Sequence, residues 1–445
     1  RDDGIGMTEE EFVQRWLTIG TDSKVSGGTL SPPAPMGGKQ PRPVLGEKGI
    51  GRLAIATIGP LVLILTRSQK APPGSGIVAA LVHWGFFQIP GLDVDRIDVP
   101  VISLRSNEHP GSTLVELLKE QVIANANALT VVAPAAALNR ICEDIRNFDV
   151  DLPGFYNEVV GPCFDDKVGQ GTHFFVLPAD RILESDIDTV GTYAASSLTK
   201  ALLGFANTML PEAEKPPITA SFKDHRSDGR AYELIGGNSF FTPEDYRQAD
   251  HHVSGTFDEM GNFRGTVQVY GLPPISYEVA SPIGGGRRTE CGRFKLDFAH
   301  VQGASRESSL DPDAWAAMME KLNRIGGIYL YRDGVRILPY GNSDYDFLDV
   351  ERRRTKSAYY NFLSYRRMFG EIQTTKSENG GLVEKAGREG FQENRAYRQF
   401  KQLLENLLVQ IAADVFRDEG KHADQYLKTK ADIERNELIR RKREK

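Results

Sequence analysis

The chain has 445 residues, of which 40% are hydrophobic and 26% are charged, and its formal net charge is −6. This length accommodates two or three domains with separate cores, and the negative charge excludes a general attraction to nucleic acid. Cys142, Cys163 and Cys291 are far apart and form no CxxC pair, which excludes a disulfide framework and predicts a reducing, cytoplasmic setting. The most apolar stretch, "LAIATIGPLVLILT", is too short to span a membrane, so we expect no membrane association.

The first 210 residues predict alternating helices and strands. Thr8 and Glu11 form a capping-box pattern that predicts a short helix over residues 8–19. A loop rich in Gly, Pro, Ser and Lys follows, which is typical of a disordered segment or a functional lid. We then predict a helix over residues 52–58, strands in "LVLILTRS", "ALVHWGFF", "DRIDVPVISL" and "GTHFFVLP", and helices in "TLVELLKEQVIANANAL" and "SSLTKALLGFANTML". This alternation predicts an α/β layer sandwich.

The Pro-rich segment "MLPEAEKPPITASF" predicts a boundary between a first domain, residues 1–212, and a second domain, residues 217–417. The second domain contains predicted strands in "RAYELIGG", "FKLDFAHV" and "FGEIQTT", and hairpins that turn at Gly261 and at Asp333-Gly334. Two helices are predicted in "PDAWAAMMEKLNRIGG" and "NRAYRQFKQLLENLLVQIAADVF". The charged tail, residues 418–445, predicts an exposed helix or the start of a coiled coil rather than core.

Two glycine-rich motifs lie near the beginning of the sequence. The first, D-x-G-x-G-M, consists of Asp2, Gly4, Gly6 and Met7. The second, G-x-x-G-x-G, lies about forty residues later, just before a predicted helix, and consists of Gly46, Gly49 and Gly51. Neither is a Rossmann fingerprint, which follows a strand directly and has an acidic residue about twenty positions on. A P-loop is excluded because "GEKGIGR" lacks the final G-K-[ST].

The order and spacing of these motifs, with a lid-like loop between them, resemble the GHKL nucleotide fold. That superfamily includes gyrase B subunits, ninety-kilodalton heat-shock chaperones, histidine kinases, MutL and MORC proteins. The resemblance implies a Bergerat-type α/β sandwich that binds ATP. Residues 219–417, with "GGIYLYRDGVRILPYG" and "EKAGREGFQENRAYRQF", most resemble prokaryotic MORC-like ATPases. This implies a transducer domain with a β-α-β, ribosomal S5-like fold and a C-terminal helix.

The resemblance also implies roles for individual residues at an ATP site. Asp2 would accept the exocyclic N–H of adenine, and Thr66 has the position of an adenine-contacting threonine. Gly4, Gly6 and Met7 would bring the backbone close to the base. The phosphates would lie against backbone amides of the second motif, which comprises Gly46, Lys48, Gly49, Ile50 and Gly51. Lys24 and Lys48 either add charge to the lid or are merely solvated, and Arg52 either covers phosphates or pairs with an acid.

Transducers of this family insert one basic side chain into the ATP site, from a loop before the last long helix. Arg388 in "REGF" is the first choice here, followed by Lys385, and Lys376 in "QTTK" is similar to the gyrase residue. Such a residue would contact the γ-phosphate and stabilise the charge that develops during phosphoryl transfer. The alternative for Arg388 is a structural salt bridge.

The family's catalytic Glu and Mg²⁺-binding Asn come from a helix that precedes the first motif, so we expect both residues upstream of Arg1. The resemblance therefore implies an ATPase that uses ATP and Mg²⁺ and dimerises as a clamp when ATP binds. The clamp is expected to act on nucleic acid or in defence. A chaperone-like ATPase with protein clients, or a nucleotide-binding signalling module without hydrolysis, are the alternatives.

Two further segments allow more than one interpretation. "VERRRTKSAYYNFLSYRRMFG" mixes arginines with aromatic residues and is either a nucleic-acid patch or a strand and loop whose aromatics belong to the core. The negative net charge favours the structural interpretation. His251-His252 has no further His, Cys or carboxylate at a ligand spacing, so we expect a structural pair and no metal site.

Overall fold

The computed structural model describes residues 1–18, 25–26, 29–30, 50–70, 75–105, 108–154, 156, 169–187, 196–205, 207–210, 218–236, 239–284, 286–357, 361–385 and 389–443. The chain divides into two compact units, residues 1–185 and residues 186–445. Each unit combines helices with a β-sheet, so the protein belongs to the mixed α/β class. The domain limits expected from the sequence, 1–212 and 217–417, stay predictions.

The first unit is built around a four-stranded antiparallel sheet with the strand order β5-β4-β3-β6. The strands of this sheet are β3 (Leu61–Arg67), β4 (Ser75–His83), β5 (Val101–Arg105) and β6 (Gly171–Leu177). The unit also contains a separate two-stranded sheet, formed by β1 (Val25–Ser26) and β2 (Thr29–Leu30). Its helices are α1 (Glu9–Glu11), α2 (Ser112–Ala128), α3 (Ala135–Arg146), α4 (Leu152–Gly154) and α5 (Arg181–Ile187). A 3-10 helix (Ile50–Thr57) precedes β3, and another (Trp84–Gln88) ends the predicted strand "ALVHWGFF".

Both faces of this sheet are covered, which explains the continuous apolar run of β3. Leu63 and Leu65 point into a core that α2 and α3 complete. Val62 and Ile64 point the other way, into a core shared with Phe12. Successive strand residues face opposite sides, so a strand buried on both faces loses the apolar–polar alternation of a surface strand.

Helix α3 is an element that the sequence interpretation omits. Its buried positions, Leu138, Ile141, Cys142 and Ile145, follow the spacing of an amphipathic helix. The helix begins directly after Pro134, which is its N-cap residue. The periodic signal was therefore present in the sequence and was missed.

The second unit contains a seven-stranded sheet with the order β11-β10-β9-β12-β15-β13-β14, antiparallel except for the parallel pair β13 and β15. The strands of this unit are β7 (Lys223–His225), β8 (Ala231–Glu233), β9 (His251–Phe257), β10 (Phe263–Val269), β11 (Ile275–Val279), β12 (Phe294–His300), β13 (Gly327–Arg332), β14 (Val335–Arg336) and β15 (Met368–Thr374). Its helices are α6 (Ser197–Leu202), α7 (Pro243–Gln248), α8 (Pro312–Ile325), α9 (Val350–Lys356), α10 (Arg395–Val415) and α11 (Ala423–Arg443).

This larger sheet separates two cores. On β13, Ile328 and Leu330 belong to the core that α10 completes with residues such as Leu407. The intervening Tyr329 and Tyr331 belong to the core that contains Leu322 of α8. The chain passes from β12 through α8 to β13. These two strands run antiparallel, because β15 lies between them and pairs antiparallel with β12 but parallel with β13.

Several short-range predictions are confirmed. Asp333 and Gly334 both have positive φ, at 50° and 78°, as a two-residue hairpin turn requires. Gly261 has φ of 83° in the turn between β9 and β10. Thr8 and Glu11 form the predicted capping box, in which each side chain bonds the backbone N–H of the other residue.

The predicted helix over residues 196–210 is too long, because α6 ends at Leu202. Leu203 already has extended backbone, and Gly204 has φ of 70° with Phe240 packed where a Cβ would lie. The Arg336 guanidinium donates hydrogen bonds to the carbonyl oxygens of Lys200 and Leu203. A long-range side chain thus bonds backbone groups at the end of the helix, a partner that local periodicity does not reveal.

Two predictions for the C-terminal part need correction. The segment after Asp349 forms α9 rather than a strand. The tail is helical, but it is not entirely outside the core, because Tyr426 of α11 is only 2% exposed and packs against Phe416 and Tyr270. One aromatic side chain thus anchors an otherwise charged helix.

Candidate functional site

The D-x-G-x-G-M segment is attached to the edge of the first sheet. The N–H of Asp2 donates to the Thr172 carbonyl over 2.8 Å, and the N–H of Thr172 donates back to the Asp2 carbonyl over 3.1 Å. Asp2 therefore extends the sheet beside β6. Gly171 has φ of 134°, and a Cβ there would overlap the Asp2 carbonyl oxygen, so this close approach requires glycine.

Thr66, at the end of β3, holds the other end of the same segment. Its Oγ1 accepts the N–H of Met7 over 3.0 Å, donates to the Gly171 carbonyl over 3.0 Å and lies 3.1 Å from the Thr172 hydroxyl. A hydroxyl donates once and accepts twice, so these partners use its full capacity. Thr66 is fully buried and positions the turn, whereas its expected contact with adenine stays a prediction.

The two glycines shape the turn between these anchors. Gly6 has φ of 59°, and a Cβ there would overlap the Arg67 carbonyl oxygen. The N–H of Gly4 donates to Asp2 Oδ1 over 2.9 Å, which orients the carboxylate. The structure therefore brings together Asp2, Gly4, Gly6, Met7 and Thr66, and Asp2 remains on an exposed part of the turn.

Helix α1 continues into a π-helical turn, Phe12–Leu17, which packs the segment onto the sheet. Phe12 is fully buried and stacks on Trp16 with ring centroids 5.1 Å apart. Glu11 accepts hydrogen bonds from Lys70 over 3.1 Å and from Arg15 over 3.3 Å. Burial acts to raise the pKa of Glu11, but the hydrogen bonds from Lys70 and from the Thr8 backbone lower it overall. The carboxylate is thus held in its charged form.

Sequence reasoning missed three residues beneath the turn: Gly171, Thr172 and His173, which it treated only as part of a strand. His173 Nδ1 lies 2.8 Å from the Tyr156 hydroxyl, and burial, followed by the nearby Arg1, lowers the pKa of the imidazole to about 3. A neutral ring therefore lies behind Thr172. A glycine and a threonine at a strand start are too common to indicate this role by themselves.

The second motif is described only in part. Lys24, Gly46, Lys48 and Gly49 lie outside the described residues. Ile50, Gly51 and Arg52 are the first residues of the 3-10 helix (Ile50–Thr57), which overlaps the predicted helix over residues 52–58. The expected meeting of the two motifs at one ligand stays a prediction.

The basic residues proposed to contact phosphate belong to the loop after β15. Arg388 lies outside the described residues. The backbone N–H of Lys376 lies 3.2 Å and 3.3 Å from the Asp333 carboxylate oxygens, and the N–H of Lys385 donates to the Gly390 carbonyl over 2.9 Å. The backbone of this loop is thus fixed beside the β13–β14 turn at Lys376.

Two residues that the sequence interpretation did not select hold this loop. Asn379 is fully buried, donates to the carbonyls of Cys291 and Arg293, and accepts the N–H of Thr375. The Arg332 guanidinium donates to the carbonyls of Asn379 and Leu382 and forms a 3.0 Å ion pair with Glu384. These bonds fix the backbone of the loop at Thr375, Asn379 and Leu382.

Two aromatic side chains of the arginine-rich segment pack into the core of the second unit. Tyr365 is fully buried, and Phe362 stacks on Phe416 at 4.0 Å, as the structural interpretation predicts. Tyr359 and Tyr360 lie outside the described residues. Arg353 pairs with Glu405 at 3.3 Å, whereas Arg366 is exposed.

Both histidines of the pair contact neighbouring polar groups within the second unit. The ring of His251 lies 3.1 Å from Gln302 Nε2, and His252 Nε2 contacts the Tyr246 carbonyl. Across the described ranges, no group of three or more His, Cys, Asp or Glu side chains is arranged to hold a metal ion.

No protein-family model and no curated protein matches this chain. In the described part of the chain, every helix is either too short or too polar to cross a bilayer. The turn on the first sheet therefore has to be interpreted from its own geometry.

Proposed function

We propose that the chain is the nucleotide-binding part of a GHKL-type ATPase of the MutL/MORC-like branch. In this proposal the first unit has the Bergerat-type α/β sandwich and the second unit a transducer with a ribosomal S5-like β-α-β fold. The supporting observation is that residues far apart in the sequence bond to the same turn. Asp2 bonds the backbone of Thr172, and Met7 bonds the Thr66 hydroxyl, so the first motif is held against two adjacent strands.

Asp2 is the residue that would select the base. Its carboxylate is oriented by the Gly4 N–H, and an ionised carboxylate accepts hydrogen bonds and donates none. The exocyclic amine of adenine donates a hydrogen bond, whereas guanine presents a carbonyl at the same place and would be repelled. The carboxylate acceptor of Asp2 therefore fits adenine.

ATP, when bound, would supply the phosphoanhydride bond and the energy of its hydrolysis. The chain's own contribution at the phosphates would be backbone amides of residues 46–51, with Lys24, Lys48 or Arg52 adding positive charge. The start of the 3-10 helix (Ile50–Thr57) suits this role, because the first N–H groups of a helix have no acceptor within the helix itself. Magnesium would accompany the triphosphate, and the described residues contain no cluster of ligands for it.

One basic residue of the second unit would contact the terminal phosphate. Arg388, Lys385 and Lys376 are the candidates, and the last two lie in a loop anchored by Asn379 and Arg332. A loop whose backbone is already fixed loses little backbone entropy when one of its basic side chains meets a phosphate. ATP binding would then favour a dimer that closes as a clamp, and its action on nucleic acid rests on the family resemblance alone.

Calorimetric titration with ATP and with GTP tests the base-reading role. Asp2→Asn should weaken ATP binding roughly tenfold to a hundredfold, because a hydrogen bond to a charged group contributes roughly 1.5–3 kcal/mol. Asp3→Asn is the matched control, since it removes an adjacent exposed carboxylate, and it should change the affinity less than about twofold. Equal ATP affinity in Asp2→Asn and the original chain would refute the assignment.

Light scattering with a non-hydrolysable ATP analogue tests the clamp. We expect a shift from monomer to dimer in the original chain and none in Asp2→Asn. Nucleotide binding without a change in mass would instead favour the signalling module. If the dimer forms but captures unfolded polypeptide rather than DNA, the chaperone-like alternative is correct.

A further inference from the structure

A polar cavity of about 310 Å³ lies at the start of β15 in the second unit. His300, the last residue of β12, and Arg367, which precedes β15, both line it. Lys376 follows the other end of β15, so the cavity and the loop of Lys376 are at opposite ends of the same strand. Neither the nucleotide proposal nor the transducer loop accounts for this cavity.

Two arginines, Arg354 and Arg367, face the cavity. Within the described ranges, neither guanidinium has a carboxylate at ion-pair distance. Arg367 packs directly over Gly303, where a Cβ would overlap its guanidinium nitrogen, so this position of the guanidinium depends on the glycine. Burial lowers the pKa of Arg367, as does the nearby Arg354. Two like charges held together in a partly buried wall are unfavourable unless an anion joins them.

The acidic residues nearby do not neutralise this pair. Glu307 lines the cavity, but its carboxylate lies 3.4 Å from Lys430 and 3.8 Å from Arg306. Glu351 accepts the Ser364 hydroxyl and the N–H of Arg366. The balance of charge around the cavity is therefore positive.

His300 adds a buried donor beside the arginines. Neither of its ring nitrogens has a hydrogen-bond partner within the described part of the chain. Burial, followed by Arg367 and Arg354, lowers the pKa of the ring to about 3, so it is neutral and keeps a single N–H. A buried N–H without an acceptor costs free energy, and an oxyanion in the cavity would supply acceptors next to it.

We propose that this cavity binds a small phosphorylated molecule, with Arg354 and Arg367 as its charge partners. Guanidinium groups match phosphate oxygens in bidentate geometry. The volume is at the lower end for small-molecule sites, which run from roughly 300 Å³. The site takes a free phosphate compound rather than a nucleic-acid backbone, because its arginines line a recess that opens on one side, whereas Arg366 remains outside on the surface.

Calorimetric titration of the full chain with pyrophosphate, at constant ionic strength, tests the site. Arg367→Gln removes the central charge, and Gly303→Ala displaces the guanidinium while keeping its charge. We expect each variant to weaken binding at least about tenfold. Arg366→Gln is the matched control, because it removes an adjacent but exposed arginine, and it should leave the affinity within about twofold.

Two further measurements separate this site from other sources of binding. Asp2→Asn should leave the component of pyrophosphate binding that depends on Arg367 unchanged, so the proposed nucleotide site and this cavity can fail independently. A single-stranded DNA oligonucleotide provides the second comparison. The proposal is overturned if pyrophosphate shows no saturable binding that depends on Arg367. It is equally overturned if only the oligonucleotide binds and Arg366→Gln weakens it as much as Arg367→Gln.

Discussion

Glu371 of β15 should make the stability of the second unit depend on pH between about 4.5 and 7. Its side chain is 1% exposed and pairs in register with Asp297 across β12 and β15. Asn207 donates to one carboxylate oxygen, and Gln373 donates to the other over 2.6 Å. Burial, followed by the charge of Asp297, raises the pKa of Glu371 to about 7 from its ordinary value of 4.5.

The magnitude follows from this difference. Between the two pKa values, the folded chain keeps a proton that the unfolded chain has released, so the free energy of unfolding falls as pH rises. A pKa raised by about 2.5 corresponds to a contribution of about 3 kcal/mol at 1.36 kcal/mol per unit. This contribution is fully present below about pH 4.5 and is lost above about pH 7.

Equilibrium urea unfolding, followed by circular dichroism at about pH 5 and about pH 8, measures the effect. Glu371→Gln removes the titrating group, so its stability relative to the original chain should rise by roughly 2.5 kcal/mol between the two pH values, since pH 5 already lies above the unfolded pKa. Glu378→Gln, which removes one exposed carboxylate from the following loop, controls for the loss of a surface charge. If the difference between Glu371→Gln and the original chain is the same at both pH values, Glu371 does not titrate in this range and the reasoning is wrong.

Three further substitutions test the packing, each by urea unfolding. Gly6→Ala should lower the free energy of unfolding by roughly 1–3 kcal/mol and weaken ATP binding, because the residue has positive φ and no room for a Cβ. An unchanged urea midpoint would contradict this. Asp250→Asn should cost roughly 1.5–3 kcal/mol, since this buried carboxylate accepts bonds from Gln302, Ser308 and Ser309 that an amide cannot all replace; a neutral effect would show that these bonds contribute little. Leu407→Ala in α10 should cost about 2–5 kcal/mol, whereas the more exposed Val409→Ala on the same helix should cost less than about 0.5 kcal/mol; equal losses would place the core elsewhere.

The candidate site shows how far local reasoning extends. The first motif was recognisable because an aspartate and two glycines at fixed spacing restrict the backbone over only a few residues. The positions of Thr66 and Thr172 beside it depend on two strands that pair in the first sheet. No local pattern specifies which strands become neighbours, because that pairing is decided by the packing of the whole unit. The role of Thr172 therefore could not be predicted from the sequence.

The sequence by itself determined features that depend on neighbouring residues along the chain. These are the capping box at Thr8, the hairpin at Asp333-Gly334 and the apolar face of α10. These features rest on hydrogen bonds and side-chain spacing between residues at most a few positions apart. Only the tertiary structure decided that α6 ends at Leu202 and that Glu371 lies opposite Asp297. It also decided that Arg354 and Arg367 line the same cavity. Each of these arrangements joins residues brought together by strand pairing and layer packing, so its energy depends on neighbours that sequence spacing does not reveal.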